Sequence, residues 1–487
     1  MVFVDKHPVL AATVAVCATA TLLILGDGMT PVWPLMWIAF IPVLVLATEL
    51  NSWKVAACAA FLSFLLGSLS FLYDIHIVLG APVTAWLFPL SIASLLFTMG
   101  ILLFRALLRR GSVLSATVSL PAFWTVIEYL ASFVPANGTA GSLAYTQEPF
   151  LPMLQVASLT GPWGITFLLL LFPTAVASGL YARHKKPRQA AIVAVSVVAV
   201  VSGMCLFGLK RLATPAPQQT IKVGLLVTDR VLFAEQPAEM QDLVQGYAAQ
   251  AERLAREGAK IIVMPEKTGL MRSQNVAAVD GVLQAVADHT GAKLVFGVRH
   301  LGASGSFNEA RMYTPTRPVS TYEKQHMLPQ FESNLTPGVS LAFLSGSSEP
   351  VGVAICKDMD FIHPALDYGR SGIGLLLDPA WDFNADRTWH GHIAIMRGVE
   401  GGYAIAHAAK GGFLTVTDDR GRILGQERSD SADFASLLVD VPLGHDRTLF
   451  DRYGTWFPDA AGLLLLGTLA QLVFQSRRYP RVGISNN

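Results

Sequence analysis

Two gaps in the basic residues constrain this chain more than any other feature. No Lys or Arg occurs between Lys54 and Arg105, and none between Arg110 and Arg183. Stretches that long, rich in Leu, Ala, Val and Phe, suit a lipid solvent better than water. Only 15% of the 487 residues are charged and 52% are hydrophobic, whereas soluble proteins carry about 25% charge. A purely soluble enzyme, a disordered tail protein and a collagenous chain are excluded. Lys+Arg 36 against Asp+Glu 35 leaves no electrostatic footprint for nucleic acid.

Runs of about 20 apolar residues can cross a bilayer core as helices. Eight are expected: about 8–26, 31–48, 54–73, 83–105, 113–135, 164–182, 190–208 and 457–474. The first follows Lys6 as a signal peptide would, but it is long for one and further spans follow directly. Basic residues concentrate on the cytoplasmic side of such bundles. Lys6, Lys54, Arg105, Arg109, Arg110, Arg183, Lys185, Lys186, Arg188, Arg477, Arg478 and Arg481 then share one side, and only Lys210 and Arg211 stand on the other. Both termini are expected in the cytoplasm, with the charged segment after the seventh span exported.

That segment alternates short β-rich runs with helical stretches. Ile221–Val227, Lys260–Pro265, Lys293–Val298, Val351–Ile355 and Gly374–Leu377 read as strands; Met240–Glu257 and Asn275–His289 read as helices. The pattern predicts an α/β domain with a buried sheet. Cys17, Cys58 and Cys205 fall within expected spans, leaving Cys356 alone in the exported segment. An unpaired thiol in an oxidising compartment is either buried and inert or functional.

Cys356 follows VGVAI at the C-terminal end of an expected strand, and Glu266 closes KIIVMPE in the same way. Ligand sites gather at that edge of open α/β sheets. Lys324 lies in TYEKQH. A carboxylate can take the thiol proton, the thiolate can attack a carbonyl and the cation can stabilise the oxyanion. Glu266 also reads as a strand-end carboxylate in a surface ion pair, Lys324 as a solvated loop lysine, and Trp381 as a packed core aromatic.

The order Glu266 (VMPEKT), Lys324 (YEKQHMLP) and Cys356 (GVAICKD) resembles the Glu-Lys-Cys triad of the nitrilase, or carbon–nitrogen hydrolase, superfamily. With eight spans around it, the chain resembles the apolipoprotein N-acyltransferase family. PAFWTVIEYL at 121–130, LQVASLTGPWGITFLL at 154–169, DPAWDF at 378–383, WHGHIAIMRGVEGG at 389–402 and DDRGRIL at 418–424 carry that resemblance along the chain. It implies a membrane α-helical bundle of about eight transmembrane helices plus an exported α/β nitrilase-like α-β-β-α sandwich. The expected divisions are 1–212 for seven spans, 218–452 for the catalytic domain, 457–474 for the eighth span and 475–487 for a cytoplasmic tail.

The resemblance further implies Glu266 as general base, Lys324 as oxyanion stabiliser and Cys356 as nucleophile. Glu332 matches the family's second essential glutamate; Asp358 and Trp381 would support the site or bind substrate. The implied reaction takes an acyl chain from a phospholipid such as phosphatidylethanolamine as a cysteine thioester. It then passes the chain to the α-amino group of a lipoprotein's diacylglyceryl-cysteine, with no cofactor, metal or nucleotide. The implied location is the bacterial inner membrane, multi-pass, with the catalytic domain periplasmic. Rival readings are a membrane-anchored amidase using the same triad, an acyltransferase with another amine acceptor, and a non-catalytic lipid or lipoprotein binding module.

The chain departs from the family pattern in places. Lys357 and Asp358 stand where the family has Tyr-Glu, and only three residues separate Glu332 from TPG at 336–338, where a longer arm is usual. TDR at 228–230 replaces Gln-Gly-Asn, and NGTAGSLAYTQ at 137–147 lacks a tryptophan-rich loop. Outside the resemblance, His390, His392 and His407 offer an H-x-H pair and one more imidazole, but no further ligand at zinc-site spacing. Glu128, inside an expected span, is either functional or near enough to the interface to reach water. Gly401–Gly402 and Gly411–Gly412 read as a cap and a turn.

Overall fold

The computed structural model describes residues 6–70, 76, 80, 82–303, 305–347, 349–384 and 388–478. Its first part is a bundle of apolar helices: α1 (Pro8–Gly26), α2 (Ile41–Glu49), α3 (Trp53–Gly67), α4 (Val83–Arg109), α5 (Val113–Ala131), α6 (Pro162–Ala182) and α7 (Pro187–Ala213). One further helix, at the C-terminal end, returns to it. Six of the eight expected spans are helices long and apolar enough to cross a bilayer. The other two differ. The run at 31–48 is divided into a 3-10 turn, Trp33–Trp37, and the short α2. Pro42 lacks an N–H and its ring crowds the carbonyl of Ile38, which instead bonds the N–H of Ile41 at 3.0 Å. The run at 54–73 is the 15-residue α3, and 71–73 lie outside the described residues.

Helix α6 is the bundle's centre, packed by α2, α5 and α7. Glu128 of α5 is a tie-point there. Its carboxylate accepts hydrogen bonds from Trp124 Nε1 (3.1 Å), Ser142 Oγ (2.7 Å), the Leu143 N–H (3.0 Å) and Thr166 Oγ1 (2.8 Å). These bonds fasten the loop after α5 to both α5 and α6, so the carboxylate is spent on architecture.

Strand β1 (Thr220–Val227) starts the sandwich. It is followed by α8 (Pro237–Arg256), β2 (Ile261–Val263), β3 (Leu270–Arg272), α9 (Val276–Thr290), β4 (Lys293–Gly302), β5 (Gly305–Tyr313), β6 (Ser320–Glu323), α10 (Pro329–Glu332), β7 (Ala342–Phe343) and β8 (Val351–Val353). Then come α11 (Ile362–Arg370), β9 (Leu375–Trp381), α12 (Trp389–Gly401), β10 (Ala404–Lys410), β11 (Phe413–Thr417), β12 (Ile423–Arg428) and β13 (Ala435–Pro442); α13 (Trp456–Arg478) closes the chain. One sheet runs β13-β1-β2-β4-β5-β6, with β3 beside β4; the other runs β12-β11-β10-β9-β8-β7. The strands β1, β2 and β4 are mutually parallel, as are β8, β9 and β10.

Side chains alternate along a strand. Val223, Leu225 and Val227 therefore enter the core between the sheets, with Val353, Leu377 and Val416 from the second. Leu226, Ile262, Leu294 and Phe296 point the other way, onto Met240, Tyr247 and Leu254 of α8 and Leu283 of α9. Helices α11 and α12 lie beside the second sheet, completing α-β-β-α. Gly402 ends α12 with φ +63°, and its missing side chain lets the carbonyl of Asp446 approach.

The sandwich docks on the end of the bundle whose loops lack Lys and Arg. The Thr139 N–H and Oγ1 both donate to the carbonyl of Asp360 at 2.7 Å, Thr388 Oγ1 to that of Met29 at 2.7 Å, and Gln155 Nε2 to that of Arg420 at 2.9 Å. Arg211, which stood on the unexpected side, pairs with Asp446 at 3.1 Å and donates to Gln155 Oε1 at 2.6 Å. Its charge is consumed in the joint.

Candidate active site

The first sheet sends Glu266 and Lys324 toward the second sheet's Cys356. Glu266 follows β2 directly, and Lys324 follows β6. Short α10 ends on Glu332, whose Oε2 accepts the Leu328 N–H at 2.8 Å, so its carboxylate is fixed by its own turn. Lys324 Nζ lies 2.8 Å from Glu266 Oε1 and 2.9 Å from Glu332 Oε2. Lys267 Nζ lies 2.6 Å from Glu332 Oε1. Asn308 of β5 joins the carboxylates, its Nδ2 donating to Glu266 Oε1 at 2.5 Å and Glu332 Oε1 at 2.8 Å. Two carboxylates and two ammoniums thus interlock with an amide between them, all buried or nearly so.

Cys356 begins a 3-10 turn, Cys356–Asp360, with φ +47°. A side chain in that left-handed region costs about 1–3 kcal/mol, and such strain gathers at functional sites. The Cys356 N–H donates to Asp378 Oδ1 at 2.7 Å, and Sγ lies 3.9 Å from the carbonyl oxygen of Trp381. Lys267 shares the unusual backbone, with φ +44°.

Burial and then the Glu266 charge push the Cys356 thiol well above its usual range, with Lys324 pulling it down. Burial also works against the charge on Glu266, but Lys324 and Lys267 overcome it and hold the carboxyl below its usual range. The same balance lowers Glu332 to about 2. Burial opposes the charge on Lys324 too, yet Glu266 and Glu332 raise it well above the lysine range. At neutral pH this is a thiol facing an ionised carboxylate and a fixed cation.

Glu266, Lys324, Glu332, Cys356 and Trp381 line one cavity of about 150 Å³. Its other walls include Lys357, Trp389 and His390 from the sandwich and Met29, Trp86 and Asn137 from the bundle. Of the six residues singled out from sequence, five meet here. Asp358 does not line the cavity. Fully buried, it accepts from Tyr322 Oη (2.7 Å) and from the N–H groups of Gln325 (3.1 Å), His326 (2.9 Å) and Ile355 (3.1 Å). It pins the segment after Lys324 to the segment before Cys356. Lys357 faces the cavity and pairs with Asp360 at 2.9 Å.

Sequence reasoning passed over Lys267, Asn308 and Lys410. The only signals were a polar residue inside β5 and a lysine closing the buried β10. Lys410 Nζ sits 3.8 Å over the Trp381 ring and donates to the carbonyl of Lys267 at 2.8 Å and to that of Leu232. Burial holds it well below the usual lysine range. The histidines are dispersed: His390 lies 3.9 Å from Asp360, His392 3.3 Å from Glu148, and His407 between Asp378 and Asp382. Among the described residues no three His, Cys, Asp or Glu side chains converge as a metal site would require.

Residues 19–175 match the family model described as the apolipoprotein N-acyltransferase N-terminal domain. The apolipoprotein N-acyltransferase of Geobacter metallireducens is 26% identical over 481 residues, covering 90% of this chain and 91% of its own. That of Chlorobaculum tepidum is 23% identical, covering 92% of this chain and 94% of its own. Among solved structures, an amidase from Nesterenkonia sp. AN1 aligns with 51% of this chain and 100% of its own, at 21% identity and a TM-score of 0.42.

Proposed function

We propose that this relative of the apolipoprotein N-acyltransferases is itself a phospholipid-dependent N-acyltransferase, working through a thioester on Cys356. The acceptor is the α-amino group of an N-terminal diacylglyceryl-cysteine on a lipoprotein. One observation carries the reading. The cavity holding thiol, carboxylate and ammonium is walled jointly by the sandwich and by Met29, Trp86 and Asn137 of the bundle. A donor anchored in the bilayer can enter a cavity that the membrane part itself builds, whereas a freely soluble amide would need no such wall.

The chemistry follows from the charge states. Glu266 takes the thiol proton as Sγ attacks the ester carbonyl carbon of the phospholipid. Lys324, held between Glu266 and Glu332, stabilises the oxyanion that develops. As the C–O bond breaks, Glu266 returns the proton to the departing alkoxide, releasing lysophospholipid and leaving the acyl chain on sulfur. The acceptor amine then attacks the thioester carbonyl and loses a proton to Glu266, and the thiolate leaves and is reprotonated. Glu332 and Asn308 keep Lys324 and Glu266 aimed. Trp381, Phe383 and Trp389 supply an apolar wall for the acyl chain.

The basic residues support an inner-membrane location with the sandwich in the periplasm. Lys6, Lys54, Arg105–Arg110 and Arg183–Arg188 mark the cytoplasmic side, and the sandwich sits on the opposite loops.

The test is intact-protein mass spectrometry of the detergent-solubilised full chain after incubation with phosphatidylethanolamine. A fatty-acyl mass on Cys356, absent from Cys356→Ala and discharged by a diacylglyceryl-cysteine peptide, is expected. Discharge by water as fast as by the peptide would make the protein a hydrolase. No adduct from any of a panel of phospholipids, in a folded sample, would sink the reading.

A further inference from the structure

Bonded to the backbone N–H of Cys356, and outside the lining of the reactive cavity, lies a second set of charges that the acyl-transfer steps do not touch. Strands β9 and β10 are parallel and in register, with His407 beside Asp378. His407 Nδ1 is 2.7 Å from Asp378 Oδ2, and Nε2 is 3.3 Å from Asp382 Oδ2. All three side chains are buried, at 2%, 0% and 1% exposure for His407, Asp378 and Asp382. The other oxygen of Asp378 is the one that accepts the Cys356 N–H. A continuous path of hydrogen bonds therefore runs from Asp382 through the imidazole and Asp378 to the backbone of the cysteine.

The two ring nitrogens both face carboxylates, and an ionised carboxylate can only accept. Both nitrogens must then carry hydrogen, which is the imidazolium. Burial works against that charge, but Asp382 and Asp378 outweigh it and raise His407 to about 10. Burial lifts the Asp378 carboxyl as well, and the His407 bond is the largest influence holding it down. Lys410, at the end of β10, spends its ammonium on the carbonyls of Leu232 and Lys267. His392 of α12 and Glu148 share with His407 the wall of a second cavity of about 150 Å³. Burial lowers His392 to about 4 and raises Glu148 to about 7. The imidazolium is the cation bonded to Asp378.

Cys356 has particular need of such a hold. Its backbone is in the left-handed region, where a side chain does not rest unaided. We propose that His407 is a positioning residue for the nucleophile: clamped between Asp378 and Asp382, it keeps Asp378 ionised and bonded to the Cys356 N–H, and thereby fixes the direction in which Sγ points. The inference rests on Cys356 being the nucleophile. It gives a task to a histidine that lies outside the reacting cavity.

The experiment uses the full chain in detergent micelles and reads two rates at Cys356: single-turnover acylation by phosphatidylethanolamine, and alkylation by iodoacetamide followed on the Cys356 peptide. In His407→Gln both rates should fall roughly 100-fold, as for a misaligned reacting group, while the donor concentration giving half-maximal rate is unchanged. Asp378→Asn preserves shape, removes the charge and turns one of the two accepting oxygens into an amide donor. Both rates should fall roughly tenfold there, because charge-assisted bonds are about twice as strong as neutral ones; a role in packing alone predicts no change. Should His407→Gln fail to fold, Asp378→Asn decides by itself. Wild-type rates in folded Asp378→Asn overturn the proposal. Failure of the underlying reading has a different signature, since Cys356→Ala would then still transfer acyl chains.

Discussion

The two sides of Cys356 are built from the same materials and used in opposite ways. On the cavity side, Glu266, Lys324, Glu332 and Lys267 alternate in sign at 2.6–2.9 Å across three ion pairs and open onto space for a substrate. On the other side, one imidazolium sits between two aspartates, and one of these accepts the backbone N–H of Cys356. When Glu266 takes the thiol proton, the cation it leaves unmatched is balanced by the negative charge formed on Sγ and then on the oxyanion beside Lys324. A cation between two acceptors tolerates no such change. The difference separates groups that can change state during a reaction from groups whose value lies in not changing.

The largest expected effect is at the atom between them. Cys356→Ala should abolish turnover and the acyl adduct, and Cys356→Ser should leave very little; steady-state transfer to a lipopeptide measures both. Next is Glu266→Gln, which removes the proposed base and should slow single-turnover acylation roughly 1,000-fold. That places it above the His407 and Asp378 variants, and a His407→Gln loss exceeding that of Glu266→Gln would break the comparison.

Acid and alkali should separate the two sides. Glu332 is lowered from 4.5 to about 2, so its stabilisation is present above pH 4.5 and disappears as pH falls through about 2. His407 is raised from 6.5 to about 10, so its contribution is complete below pH 6.5 and is lost as pH rises through about 10. Thermal unfolding of the micellar protein across pH should show both limbs. Glu332→Gln should flatten the acid limb alone and His407→Gln the alkaline limb alone; the reverse assignment would refute the division. The smallest effect is expected far from both, at Glu128→Gln. It should weaken several hydrogen bonds at about 1 kcal/mol each, lowering the melting temperature while acylation stays near the wild-type rate.

Much of the fold was written locally. Six long apolar helices announce themselves by composition, and β1, β2, β4, β8 and β9 by short apolar runs. The strands that escaped notice have reasons to. β10 (AIAHAAK) is buried throughout and alanine-rich, without period-two alternation, and β5 (GSFNEARMY) buries Asn308, Glu309 and Arg311 where a pattern search expects surface. Glu266 and Cys356 were visible because a strand end is a local feature. Lys267, Asn308 and the His407–Asp378 pairing depend on which strands become neighbours and in what register, and no single segment encodes that. Asp358 was legible as a carboxylate beside the cysteine, but Tyr322, Gln325 and His326, from 32 to 36 positions earlier, had to fold against it before its work as a pin could be seen. Arg211 breaks the charge rule for the same reason, since its partner Asp446 lies 235 positions further on.

The first and last strands of the sandwich are partners: Thr220 stands opposite Pro442, and the two strands stay paired to Val227 and Ala435. The chain therefore leaves the sandwich beside the point at which it entered. Helix α13, which then packs against α5 and is held by bonds from Gln471 and Gln475 to Ser112, is made only after all of 220–442. During synthesis the bundle waits as an unfinished socket while more than two hundred residues are produced outside it. The helix that fills the socket arrives on a strand whose correct place is beside β1. The strand that leads to α13 is paired with the strand that leads out of α7, so the sandwich brings the two ends of the bundle's interruption together.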